Sequence, residues 1–68
     1  MPGLAEKFAA NLKIVRRKKK LSQEALAHKA GLSFSYISML ERRQRTPPLD
    51  TLETLAKALG CSAVSLLT

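Results

Sequence analysis

Apolar positions recur at three- and four-residue intervals along most of this chain, the spacing of one face of an α-helix. Leu4, Phe8, Leu12 and Val15 make the first such stripe and predict a helix over about 4–19. Ser22 is a good N-cap and Glu24 places negative charge in the first turn. A second helix is therefore expected over 22–30, with Leu26, Ala27 and Ala30 as its apolar face and Gly31 as its stop. Ser33 is a second N-cap and opens a third helix over 33–42. Only Ala30, Gly31 and Leu32 lie between these two helices, and so short a connection forces a sharp angle. Pro47 and Pro48 end the basic segment 43–48 and prepare a fourth helix over 49–59. Leu49, Leu52, Leu55, Ala56 and Leu59 stripe it, and Gly60 closes it. Ser62 caps a short fifth helix over 62–67, carrying Val64, Leu66 and Leu67. The expected fold is one all-α domain over 1–68, a compact bundle of five short helices.

Size limits what this bundle can bury. A domain of 68 residues hides only about 60% of the surface its unfolded chain exposes. Its core is thin, and dimerisation is a natural further source of stability. Phe8, Phe34 and Tyr36 are the only aromatic residues, so the core must be mostly Leu, Ile, Val and Ala.

Charge adds a partner to the picture. Twelve Lys and Arg against five Asp and Glu give +7. Residues 1–45 hold 11 basic and 3 acidic residues, a net of +8, while residues 46–68 hold Lys57 against Asp50 and Glu53, a net of −1. An asymmetry of this kind points to a polyanion. Arg16 through Lys20 form an unbroken basic run at the end of the first helix. The helix macrodipole accounts for part of it; five in a row exceeds what the dipole requires.

Other chemistry is thinly represented. One cysteine, Cys61, allows no internal disulfide, and one Cys with one His, His28, cannot build a structural zinc site. No apolar run approaches the roughly 20 residues of a membrane span, and Met1 to Lys20 lacks the apolar stretch of a signal peptide. The cytoplasm is the expected location. Paired carboxylates in an apolar setting, a Cys–His pair with a third partner and a phosphate-cradling glycine loop are all absent from the sequence. An enzyme is not expected, nor a cofactor or small-molecule substrate. His28 is expected to be exposed, and Cys61 to fill a small core site after Gly60.

The third helix can be laid out at about 100° per residue with Phe34 at zero. Ser38, Arg42 and Ser35 fall within about 100° of Phe34, Met39 lies at roughly 140°, and Leu40 and Ile37 at about 240° and 300°. Leu40 and Ile37 thus face the core, while Phe34, Ser35, Ser38, Met39 and Arg42 face outward. A helix of this width fits the major groove of B-DNA.

These same residues carry a family resemblance. Leu21-Ser22-Gln23-Glu24-Ala25-Leu26-Ala27, then Ala30-Gly31-Leu32-Ser33, then Tyr36-Ile37-Ser38-Met39-Leu40-Glu41-Arg42 resembles the helix-turn-helix of Cro/repressor-type (Xre) DNA-binding domains. Pro47 and the stretch from Leu52 to Gly60 extend the match to about residues 8–67. The resemblance implies a lambda-repressor-like fold and a bacterial or phage sequence-specific regulator of transcription. Helix three would lie in the major groove of double-stranded DNA, and a homodimer would read an inverted repeat. The base-reading set would be Phe34, Ser35, Ser38 and Met39, although Phe34 and Met39 could instead be core residues. Gln23, Ser33, Tyr36, Arg42, Arg43, Arg45, Lys19 and Lys20 would meet phosphates; for Gln23 and Ser33 the alternative is simple capping, for Tyr36 packing against helix one, for the lysines solvation. The family commonly pairs an Arg of helix one with a Glu of the recognition helix, here Arg16 and Glu41. Two positions depart from its pattern: Arg43 stands where Gly often follows the Glu-Arg pair, and Pro48 where a capping Ser or Thr is common.

Val64, Leu66 and Leu67 would form the dimer surface, or else complete the core of a monomer. RNA polymerase or another partner protein is a further candidate. The competing function is a protein-interaction module, an antitoxin or anti-repressor built on the same fold, for which exposed Phe34 and Met39 would supply the contacts.

Overall fold

Four α-helices and one 3-10 turn make up the fold in a computed structural model describing residues 3–68. They are α1 (Leu4–Lys18), α2 (Gln23–Ala30), α3 (Phe34–Glu41) and α4 (Leu49–Leu59), followed by the turn Val64–Leu66. Both serine caps form: Ser22 Oγ accepts the Ala25 N–H at 3.0 Å, and Ser33 Oγ accepts the Tyr36 N–H at 3.1 Å. Pro48 leads into α4 with no side-chain cap, its carbonyl accepting the Leu52 N–H at 3.0 Å.

All four helices stop in the same way. Leu21, Leu32, Gln44 and Cys61 donate their N–H groups back to Arg16, Ala27, Met39 and Ala56, at 2.8–3.1 Å. The residue before each donor takes positive φ: Lys20 59°, Gly31 69°, Arg43 62° and Gly60 68°. This is the Schellman ending, which turns the chain through a left-handed residue. Leu21, Leu32 and Cys61 then fold onto the core, so three of the four stops also contribute apolar packing.

The core is Phe8 and Leu12 of α1, Leu26 and Ala27 of α2, Ile37 and Leu40 of α3, Leu52, Leu55, Ala56 and Leu59 of α4, and Leu66. Ala27 is the small residue where α2 approaches its neighbours, and α2 packs against both α3 and α4. Asn11 Nδ2 donates to the Leu66 carbonyl at 3.2 Å, pinning the C-terminal turn to α1.

Three expectations fail here. The fifth helix is a three-residue 3-10 turn: Ser62 Oγ accepts the Ser65 N–H, and of the apolar residues after Gly60 only Leu66 is fully buried, while Cys61, Ala63 and Leu67 are partly buried against the core. Leu66 is fully buried, so it completes the monomer's core and cannot be a dimer contact. Leu4 and Leu49 lie outside the core at 64% and 79% exposed. Each is the first residue of its helix, and both border a surface groove with Phe8, Leu52 and Leu67. Cys61 and His28 stand as expected, the one partly buried against the core, the other exposed.

Candidate nucleic-acid interface

α3 is fixed from behind. Ile37 and Leu40 are fully buried, and Glu41 beside them is held by a bidentate pair with Arg16. Arg16 Nε donates to Glu41 Oε2 at 2.6 Å and Nη2 donates to Oε1 at 3.0 Å. Arg16 Nη1 donates to the Leu21 carbonyl at 2.8 Å, so one guanidinium binds the end of α1, the turn after it and the last residue of α3. Gln23 Nε2 adds a third donor, to Glu41 Oε1 at 3.0 Å. The expected Arg16–Glu41 pair is present, and the start of α2 joins it. Burial by itself pushes the Glu41 carboxyl up; the hydrogen bonds from Arg16 and Gln23, with the charges of Arg16 and Lys13, outweigh it and hold the group below its ordinary value near 4.5.

The opposite side of α3 is open. Phe34 is 49% exposed and Ser35 is exposed, while Ser38 and Met39 are half-buried. The four residues expected to read bases therefore share the accessible face, and neither Phe34 nor Met39 belongs to the core.

The polar residues around α3 divide into groups. Ser33 is exposed at its N-terminus, and its hydroxyl hydrogen stays free because the oxygen is the accepting atom of the cap. Arg42, Arg43 and Arg45 are exposed at its other end. Arg42 lies back along the helix, its Nε donating to the Ser38 carbonyl at 3.4 Å. Tyr36 is half-buried and packs against the core. Gln23 is half-buried too, with one amide hydrogen committed to Glu41, so its part in the interface is first to join α2 to α3. Sequence reasoning missed that bond; its signal was a Gln opening one helix of a pair whose partner ends in a buried carboxylate.

Lys19 and Lys20 part company. Lys20 is the left-handed residue beside the Arg16 network. Lys19 lines a depression with Leu21, Lys29, Lys57 and Gly60, its Nζ 3.9 Å from the point a Gly60 Cβ would occupy. No residue of α3 lines that depression, so Lys19 is not gathered with the groove-facing set. Among the described residues no group of three His, Cys, Asp or Glu could hold a metal, and no helix is long and apolar enough to cross a membrane.

Comparison with known proteins gives one answer throughout. The helix-turn-helix family model matches residues 12–66. The chain is 46% identical over 59 residues to the HTH-type transcriptional regulator y4dJ of Sinorhizobium fredii, covering 87% of this chain and 77% of that protein. It is 45% identical over 65 residues to control protein C.SmaI of Serratia marcescens, covering 96% of this chain and 77% of that one. The restriction-modification controller protein C.AhdI of Aeromonas hydrophila superposes with a TM-score of 0.88 at 40% identity, over 91% of this chain and 94% of that chain. With a matched sequence spanning α2, α3 and α4 and the same fold in a solved relative, the chain belongs to the Cro/repressor-type (Xre) helix-turn-helix family of DNA-binding transcription regulators.

Proposed function

We infer that the protein reads a specific double-stranded DNA site with α3 in the major groove, as a homodimer on an inverted repeat. The observation that carries this reading is the open face of α3, where Phe34, Ser35, Ser38 and Met39 stand opposite a rear face locked by Ile37, Leu40 and the Arg16–Glu41 pair. Phe34 and Met39 meet thymine methyl groups, and the serines bond base edges. Ser33, Arg42, Arg43, Arg45 and Lys20 meet phosphates on either side, with Gln23 and Tyr36 contributing from the start of α2 and the flank of α3. The setting is the cytoplasm of a bacterium or phage-infected cell.

Copies meet through the nearly neutral C-terminal third. With Leu66 in the core, the apolar side chains left for this contact are Val64, 66% exposed, and the partly buried Leu67. Leu49 and Leu4 extend them across a groove walled by Phe8, Pro47 and Leu52. No charged side chain lines that groove, so two copies approach without like-charge repulsion there.

Recovery of bound duplexes from a random DNA pool at about 0.15 M salt, with excess non-specific competitor, tests the reading. An inverted repeat with half-sites about 34 Å apart is the expected product. Salt-sensitive binding that enriches no motif would refute sequence reading and shift specificity to a protein partner.

A further inference from the structure

Two of the four helix stops use glycine and two use a basic residue, although all four have the same left-handed backbone. Space does not decide between them. A Cβ on Gly31 would meet nothing within 4 Å, and one on Gly60 would meet only the tip of Lys19 at 3.9 Å. A side chain would fit at either glycine, and the φ of about 60–70° disfavours any L-residue equally. Lys20 and Arg43 thus sit where glycine is the lower-energy choice, and their exposed side chains make no hydrogen bond or ion pair within the described residues that would offset the strain.

Their placement is not random. Arg16 ties the last turn of α1 to the last residue of α3, and it bonds the Leu21 carbonyl directly after Lys20. Arg43 follows Glu41 by two residues. The two strained cations therefore follow the two members of one buried ion pair along the chain, Lys20 four residues after Arg16 and Arg43 two after Glu41, with Arg43 bordering α1 near Glu6 and Lys13. The glycine stops, Gly31 and Gly60, close α2 and α4 instead.

We propose that Lys20 and Arg43 are a phosphate clamp built at a cost in stability: each holds a strained backbone so that its charge reaches the DNA backbone beside α3. This deepens the proposed DNA-binding function and rests on it. Strain kept at a functional site, with the surrounding fold enforcing it, is a recognised arrangement. It yields an opposite-signed signature that a merely solvated or structural residue does not give.

The test compares Lys20→Gly and Arg43→Gly with the wild type and with Lys57→Ala, which removes one charge from α4. Melting midpoint is measured alongside affinity for a mixed-sequence linear DNA duplex over a salt series. Each glycine variant is expected to melt several degrees higher, about 4 °C or more. Each should also bind more weakly, with the slope of log K against log salt reduced by about 0.9. Lys57→Ala should leave that slope nearly unchanged. A lower midpoint in the glycine variants would overturn the proposal; for Arg43 it would mean that its guanidinium stabilises the fold, the one carboxylate of α1 in the groove it borders being Glu6. Slopes equal to that of Lys57→Ala would overturn it as well, leaving the charges without phosphates. Wild-type protein showing no salt-dependent duplex binding would instead remove the DNA-binding reading itself, and the clamp with it.

Discussion

Arg16 grips both carboxylate oxygens of Glu41, at 2.6 and 3.0 Å, across the junction of α1 and α3. The Glu41 side chain is almost completely buried and that of Arg16 nearly so, so the pair ties the end of α3 to the end of α1. Removing one partner strands the other without water. Glu41→Ala should cost about 3 kcal/mol, lowering the melting midpoint by roughly 12 °C or more in a domain of this size. Replacing both, as Arg16→Met with Glu41→Leu, should cost far less than the sum of the single changes. Thermal melts of the three variants decide it, and a Glu41→Ala midpoint equal to wild type would show the pair to be idle.

The same pair predicts an acid-sensitive fold. Because the Glu41 carboxyl is held below its ordinary value near 4.5, the unfolded chain binds more protons than the folded one in that interval. Stability therefore rises with pH across it. The contribution of Glu41 is complete above about pH 4.5 and is lost as pH falls through the lower folded value. Glu41→Gln removes this titration and leaves the four other carboxyl side chains in place. Between pH 5 and 3, the wild-type midpoint should fall more steeply than that of Glu41→Gln. Parallel curves would contradict the assignment.

Much of this arrangement could be read from the sequence, and the failures have a common cause. Caps at Ser22 and Ser33, stops at Gly31 and Gly60, and the inward side of α3 follow from local chemistry and a 100° turn per residue. Leu4 failed because the apolar stripe and the buried side of α1 are not centred on the same line of the helix. The buried side of α1, Phe8, Ala9, Leu12 and Arg16, is centred about 95° from Leu4 on the same wheel. Leu66 failed because an apolar residue in a short terminal segment serves a core and an interface equally well until packing is known. Lys20 and Arg43 do not announce positive φ by their own identity as glycine does, although the family resemblance marks the position of Arg43 as one where Gly is common. The apolar Leu21 after Lys20, which folds onto the core as Leu32 does after Gly31, was the available clue.

Core and interface at the C-terminus separate by experiment. Leu66→Ala opens a cavity beside α1 and should cost about 2–5 kcal/mol at any protein concentration. Val64→Asp changes an exposed position and should leave the monomer's stability within about 0.5 kcal/mol while moving sedimentation toward the monomer. Should Val64→Asp sediment as the wild type does, the proposed contact between copies lies elsewhere.

Phe34 and Met39 test how α3 discriminates among bases. Neither belongs to the buried core, so truncating either should barely disturb folding. On DNA, each Ala variant should lose about 1–3 kcal/mol at particular base pairs only. The reason is that an apolar side chain against a thymine methyl rewards that base alone. Phosphate contacts behave differently, weakening binding by the same factor on every sequence and reducing the salt slope. Affinities for a set of single-base-pair operator variants, measured with wild type, Phe34→Ala and Met39→Ala, distinguish the two. A variant whose loss is confined to one or two positions assigns its residue to those bases. A loss spread evenly over all positions would place Phe34 or Met39 outside the base-reading set and leave discrimination to Ser35 and Ser38.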